Sequence, residues 1–182
     1  MTAGHVILIG LPGAGKSTVG PRVARALGRP FFDFDGELER RAGRSVAEQF
    51  AAHGEPAFRA AEAALSQELA LAEPAVLAPG GGWAANPAAR AALGSARHRT
   101  VYLCVPPEVA AGRLAADLHA TGRHTRPLLA GARDPIDAVD ALLTRRRPLY
   151  EAADLVVDAT GAPDAVAAAV VAAVEAWVTV RG

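Results

Sequence analysis

Residues 10–17, Gly10-Leu11-Pro12-Gly13-Ala14-Gly15-Lys16-Ser17, read G-x-x-x-x-G-K-S. The apolar run Val6-Ile7-Leu8-Ile9 precedes them and a helical pattern follows. That strand–loop–helix context separates a phosphate-binding P-loop from a chance match. Glycines let the backbone curl until several N–H groups point at one phosphate, and the following helix adds the positive end of its dipole. Lys16 can then reach β- and γ-phosphates, and the Ser17 hydroxyl can ligate Mg2+. Lys16 is the only lysine among nineteen Lys and Arg residues. It sits where a compact ammonium, rather than a planar fork, fits between phosphate oxygens. The plain alternative is a glycine-rich turn with an exposed lysine.

Five further groups stand out. In Asp33-Phe34-Asp35, alternate residues of a strand share a face, so both carboxylates are expected to point the same way. Near a nucleotide, one would hold Mg2+ directly or through water and the other would accept a hydrogen bond from an acceptor hydroxyl. The alternative is a strand end whose acids are solvated or cap the next helix. In Gly54-Glu55-Pro56-Ala57-Phe58-Arg59-Ala60-Ala61-Glu62, Glu62 lies three residues beyond Arg59 on a helix. It can fix the guanidinium fork for a substrate carboxylate, unless the two form an ordinary surface ion pair. Gly80-Gly81-Gly82 cannot be regular structure and points to close approach of backbone to a ligand. Arg126, with Arg123 and Arg133 as alternatives, suits a lid arginine that caps a γ-phosphate. By charge alone, Arg145-Arg146-Arg147 favours the C-terminal end of its helix.

The elements that must position these groups alternate. Strands are expected at about 5–9, 30–35, 74–79, 100–105 and 155–157. Helices follow the P-loop to Gly28, cover 37–72 with breaks near Gly43 and Gly54, and cover 87–93, about 106–118, 135–152 and 165–180. Ser45 with Glu48 forms a capping box. Pro148 predicts a break or kink after the three arginines, and residues 119–134 read as a surface loop long enough for a lid. Alternation of this kind implies an α/β fold with a parallel sheet covered on both faces. The P-loop, the aspartates and the triple glycine then converge at the carboxyl edge of the sheet.

At 182 residues the chain is expected to form one domain, spanning 1–182. Zero formal net charge gives no footprint for nucleic acid or an anionic membrane. The lone Cys104 excludes an internal disulfide framework and suits a cytoplasmic location. No basic segment precedes an apolar run at the N-terminus, so no signal peptide is expected. Valines 166, 170, 174 and 178 repeat every four residues, the pattern of a docked core helix rather than a membrane span.

The ordered set resembles the shikimate kinase family. It comprises the P-loop with Lys16-Ser17, Asp33-x-Asp35, Gly54-Glu55-x-x-Phe58-Arg59-x-x-Glu62, Gly80-Gly81-Gly82, Arg126-Pro127-Leu128-Leu129 and Arg146-x-Pro148-Leu149-Tyr150. The resemblance implies a nucleoside-monophosphate-kinase-like, three-layer α/β/α P-loop NTPase fold. Its five-stranded parallel sheet would have order 2-3-1-4-5, with a mobile lid at about 119–134 and an acceptor-binding helical region at about 35–62. It implies transfer of the ATP γ-phosphate to the 3-hydroxyl of shikimate, in aromatic amino acid biosynthesis. Carried over, Gly13, Ala14, Gly15, Lys16, Ser17 and Thr18 hold the phosphates, Ser17 binds Mg2+ and Asp33 meets the metal through water. Asp35 takes the shikimate hydroxyls, with Arg59, the glycines 80–82 and Arg146 as its companions. Arg126 is the lid residue on ATP, and Arg113 packs on adenine. Lys16, Asp35 and Arg126 carry the catalytic roles, in a chain expected to be a monomer.

Three departures stand out: Phe34 replaces the family's frequent threonine, Trp83 follows the triple glycine where a small residue is usual, and the stretch from Tyr102 to Arg126 is longer. Trp83 is expected to narrow or reshape the acceptor pocket. Alternative readings are a gluconate or nucleotide kinase on the same scaffold, a GTP-switch protein, and a non-catalytic nucleotide-binding paralogue. The switch reading is weakened because a guanine-reading N-K-x-D box needs a second lysine.

Overall fold

The computed structural model describes residues 4–121 and 134–181. Five parallel strands run β1 (Val6–Ile9), β2 (Phe31–Asp33), β3 (Val76–Ala78), β4 (Arg99–Cys104) and β5 (Leu155–Asp158), and they lie in the order β2-β3-β1-β4-β5. All four residues of the central β1 are buried, as a strand covered on both faces requires. Register places Val6 beside Val76 on one side and Arg99 on the other, and β5 closes the far edge through Val101–Leu155 to Cys104–Asp158.

Helices cover both faces. They are α1 (Lys16–Leu27), α2 (Phe34–Ala42), α3 (Val46–Ala70), α4 (Pro87–Ala92), α5 (Pro107–Thr121), α6 (Pro135–Glu151) and α7 (Pro163–Arg181). Helix α1 packs with α7, α3 with α4, and α5 with α6. Val166, Val170 and Val174 of α7 are buried, as their spacing predicts. Gly28 ends α1, the Ser45–Glu48 capping box starts α3, and α3 kinks at Gly54. Among the described residues, no helix is long and apolar enough to cross a membrane.

Three expectations are corrected. Strand β2 ends at Asp33, and Asp35 lies in the first turn of α2 rather than two positions along a strand. A local and a tertiary cause combine: Asp33 caps α2 by accepting from the Gly36 N–H at 3.3 Å, and Phe34 turns fully into the core. Helix α6 continues through Pro148 to Glu151. The proline gives up one backbone bond, but Arg146 and Tyr150, four residues apart and so on one face, both donate to the Gly81 carbonyl. That shared grip holds the segment helical. Helix α5 extends to Thr121, so residues 119–121 are helical rather than loop. The rest of the expected lid, with Arg123, Arg126 and Arg133, lies outside the described residues.

At the opposite, amino edge of the sheet, His5 and His98 stack with ring centroids 4.7 Å apart. His5 Nδ1 accepts from the Ala75 N–H at 3.0 Å, and its Nε2 donates to Leu69 O at 2.7 Å. His98 Nδ1 accepts from the His5 N–H at 3.0 Å. Each ring therefore uses as an acceptor the nitrogen that a second proton would occupy. Burial, the neighbouring imidazole and the cations Arg97 and Arg99 lower the pKa of His98 to about 4, and burial also lowers His5. An unfolded histidine takes its proton near 6.5. Between these values the unfolded chain binds more protons, so His98 stabilises the fold fully above about pH 6.5 and loses that contribution as pH falls towards 4. His98→Asn keeps an acceptor for the His5 N–H without titrating. Urea midpoints are expected to fall less steeply across this window in H98N than in the unsubstituted protein, and equal slopes would remove His98 as a cause.

Candidate active site

The P-loop joins β1 to α1 at the carboxyl edge. Gly15 precedes α1 with φ 96°, a left-handed conformation that glycine alone adopts without strain. Lys16 is buried, and its Nζ donates to the Gly10 and Leu11 carbonyls at 3.0 Å each, so the ammonium is held over the loop. The Ser17 hydroxyl donates to Asp33 Oδ2. Residues 16 apart in sequence thus place a hydroxyl and a carboxylate at the phosphate end of the site, a hard oxygen donor set that suits Mg2+.

A cleft of about 300 Å³ opens beside this loop, lined by Gly13, Lys16, Ser17, Arg113, Asp117 and Pro163 among others. Arg113 on α5 bridges the two walls. Its Nη2 donates to Ala159 O at 2.9 Å and Thr160 O at 3.1 Å, and Nη1 to Ala14 O at 3.5 Å. The longer stretch before the lid therefore leaves Arg113 at the cleft.

The second half of the site lies between α3, the glycine loop and α6. Glu62 has a side chain only 1% exposed, so its pair with Arg59 is no surface ion pair. Its Oε2 accepts from Arg59 Nη1 at 3.1 Å and Asn86 Nδ2 at 3.1 Å. Burial pushes the Glu62 carboxyl up, while the Asn86 amide and Arg59 pull it down. Glu62 Oε1 is buried with no hydrogen-bond partner. A Cβ built on Gly80 would stand 2.8 Å from Asp35 Oδ1 and 3.6 Å from Glu62 Oε1, so both acids flank that glycine. Arg59 also bonds Glu55 at 2.9 Å and lies 5.7 Å above the Phe58 ring.

Arg146, half-buried, donates to Gly81 O at 2.8 Å, whereas Arg145 and Arg147 are exposed. Tyr150 donates to the same carbonyl at 3.0 Å. A Cβ on Gly81 would lie 3.1 Å from Pro12 of the P-loop and 3.4 Å from Arg146 Nη1, which sets the two halves of the site against each other.

The structure brings together the P-loop residues with Asp33, and Asp35, Arg59, Gly80, Gly81, Gly82 and Arg146 around the glycine loop. Trp83 does not project from the glycine loop. It is buried and turned towards α3, where its indole N–H meets Ser66, because a ring of that size finds both a core and a partner there. Sequence reasoning missed Asn86, Tyr150 and the cleft residues Asp117 and Pro163. Asn86-Pro87 carried one usable signal, that of a helix N-cap.

A P-loop at the carboxyl edge of a 2-3-1-4-5 sheet, with a second anion grip against it, defines a P-loop small-molecule phosphotransferase. The shikimate kinase family model matches residues 12–175. The chain belongs to the shikimate kinase family; it is an ATP-dependent kinase acting on a hydroxyl group. A shikimate kinase from Thermobifida fusca (strain YX) is 45% identical over 145 residues, spanning 80% of this chain and 78% of that protein. One from Mycobacterium avium (strain 104) is 44% identical over 152 residues, spanning 83% and 81%. The solved shikimate kinase of Acinetobacter baumannii, in complex with shikimate, matches with a TM-score of 0.86 at 34% identity, over 99% of this chain and 96% of that one.

A Cβ on Gly82 would stand 2.3 Å from Arg59 Nη2. The guanidinium is the far end of a flexible side chain, so Gly82→Ala is expected to fold and bind nucleotide while displacing the fork. Acceptor KM should rise by about 10–100-fold, the scale of an ångström-level misplacement. Steady-state kinetics with an unchanged acceptor KM would show that the fork does not need this position.

Proposed function

We propose that this chain transfers the γ-phosphate of ATP to the 3-hydroxyl of shikimate through the residues assembled above. The observation that carries the reading is the position of Gly81: its carbonyl takes the Arg146 guanidinium at 2.8 Å, and a Cβ there would stand 3.1 Å from Pro12, so a cationic grip suited to a carboxylate lies beside the phosphate loop. Lys16 and the P-loop N–H groups hold the β- and γ-phosphates. Ser17, with Asp33 through water, holds Mg2+, which supplies further positive charge against the phosphates. Arg113 packs on adenine, within the cleft it borders.

Arg59 and Arg146 clamp the shikimate carboxylate, each by a fork that a lysine cannot offer. Asp35 accepts from the ring hydroxyls, and the buried Glu62 holds the Arg59 fork in place behind it. Asp35 orients the attacking hydroxyl; the new O–P bond forms as the bond to the β–γ bridging oxygen breaks, ADP departs, and Asp35 takes the hydroxyl proton late. Such a transfer depends on positioning and charge neutralisation more than on a strong base. Arg126 closes over the γ-phosphate in this reading, a role that rests on its sequence alone. The lone cysteine supports a cytoplasmic enzyme.

A coupled ADP-release assay with shikimate, gluconate and AMP tests the reading. Turnover is expected with shikimate; turnover with either of the others and not with shikimate would overturn it. Arg59→Ala should lower kcat/KM for shikimate by about 2–5 kcal/mol, the cost of removing one partner of a desolvated charge pair, and Arg59→Lys should restore little of it.

A further inference from the structure

The short 3-10 turn Trp83–Ala85 that follows the glycine loop is stitched to α3 at both ends. At its start, the Trp83 indole N–H donates to Ser66 Oγ at 3.0 Å, and that hydroxyl donates to the Glu62 carbonyl at 2.9 Å. At its end, Asn86 Nδ2 donates to the Arg59 carbonyl at 2.9 Å and to Glu62 Oε2 at 3.1 Å. The turn is tied back to the glycines by Trp83 N–H to Gly80 O at 2.9 Å. The Asn86 contacts end on Arg59 and Glu62 themselves, and the Trp83 contact ends on Ser66, one helical turn further on, whose hydroxyl bonds back to the Glu62 carbonyl.

We infer that Trp83 and Ser66 are positioning residues for acceptor binding, a hydrogen-bonded pair that sets the spacing between the glycine loop and the Arg59 guanidinium. The inference rests on the reading of Arg59 and Gly81 as the acceptor grip. Packing alone does not account for the pair. A buried serine inside a helix normally spends its hydroxyl on the carbonyl four residues back, and here its remaining acceptor capacity meets the one N–H the indole has to place. Ser66 is fully buried and Trp83 is 3% exposed, so water satisfies neither. The next residue towards the glycines is Gly82, where the guanidinium leaves no room for a Cβ. A shift of the indole is therefore transmitted through one peptide unit to the surface on which Arg59 rests. The nucleotide cleft is lined by other elements, α1, α5 and the start of α7.

Trp83→Phe keeps an aromatic ring and removes the N–H, and Ser66→Ala removes its acceptor. Each is expected to raise KM for shikimate about three- to tenfold with KM for ATP held within about twofold, the scale of one lost hydrogen bond. The double variant should be no worse than the worse single one, because both delete the same contact. An unchanged shikimate KM in Trp83→Phe with native circular dichroism would overturn the inference, as would equal rises in both KM values or full additivity in the double variant. If Trp83→Phe fails to fold, Ser66→Ala, which leaves the indole in place, decides by the same split. A wild-type chain that does not turn over shikimate would overturn the acceptor reading and this inference with it, a result separate from any variant's behaviour.

Discussion

A carboxylate taken almost wholly out of water has to be answered from within the protein, and Glu62 is that carboxylate. Moving such a charge into the interior costs several kcal/mol unless a partner and further hydrogen bonds meet it. Arg59 and Asn86 share one of its oxygens. Those two answers have structural consequences. Arg59 must lie against the glycine loop, so a side chain at position 82 would have to displace its guanidinium. Asn86 must sit where its amide reaches α3 while its oxygen caps α4, which fixes the length of the turn between them. Glu62 Oε1 is buried without a hydrogen-bond partner, on the side of Gly80 where Asp35 also stands.

The same loop is held from the other side by α6. One carbonyl, Gly81 O, receives Arg146 and Tyr150. Tyr150 in turn is buried and stacks on Tyr102 of β4, with centroids 5.2 Å apart. The glycine loop is thus suspended between α3 and the β4–α6 side, with the P-loop beneath it at Pro12. Backbone without side chains is what makes this possible: three elements approach one strand end closely because nothing projects from it. The groups around the loop are held in position by one another.

The parts of the fold that were legible in the sequence are those fixed by local chemistry. The P-loop, the Ser45 capping box, the stop at Gly28 and the valine repeat of α7 each follow from a few neighbouring residues. What escaped was decided at a distance. Whether Asp33-Phe34-Asp35 continues as strand or turns into helix depends on a core pocket that takes Phe34 whole. Whether Pro148 breaks α6 depends on a carbonyl 67 residues earlier, at Gly81, that two side chains of the helix grasp. Trp83 is large and follows three glycines, so periodicity alone assigns it no direction; the hydroxyl of Ser66 does. Among the three adjacent arginines, spacing from Pro148 selected Arg146, and burial distinguishes it from its exposed neighbours.

The division of labour between the cations follows from their shapes. A guanidinium spreads its charge over five donors in a plane and can serve two partners at once. Arg59 does so for Glu55 and Glu62, and Arg113 does so for the carbonyls of residues 159 and 160. Arg59 braces its own helix α3, whereas Arg113 ties α5 to the segment after β5 and to the P-loop. The P-loop needs the reverse, a small charge on a thin stem that fits inside a ring of backbone. Lys16 meets that need, with its ammonium equidistant from two carbonyls of the loop it serves. A chain that uses arginine at eighteen of its nineteen Lys and Arg positions and lysine only here has separated two shapes: forks brace the fold, and the single ammonium sits in the P-loop.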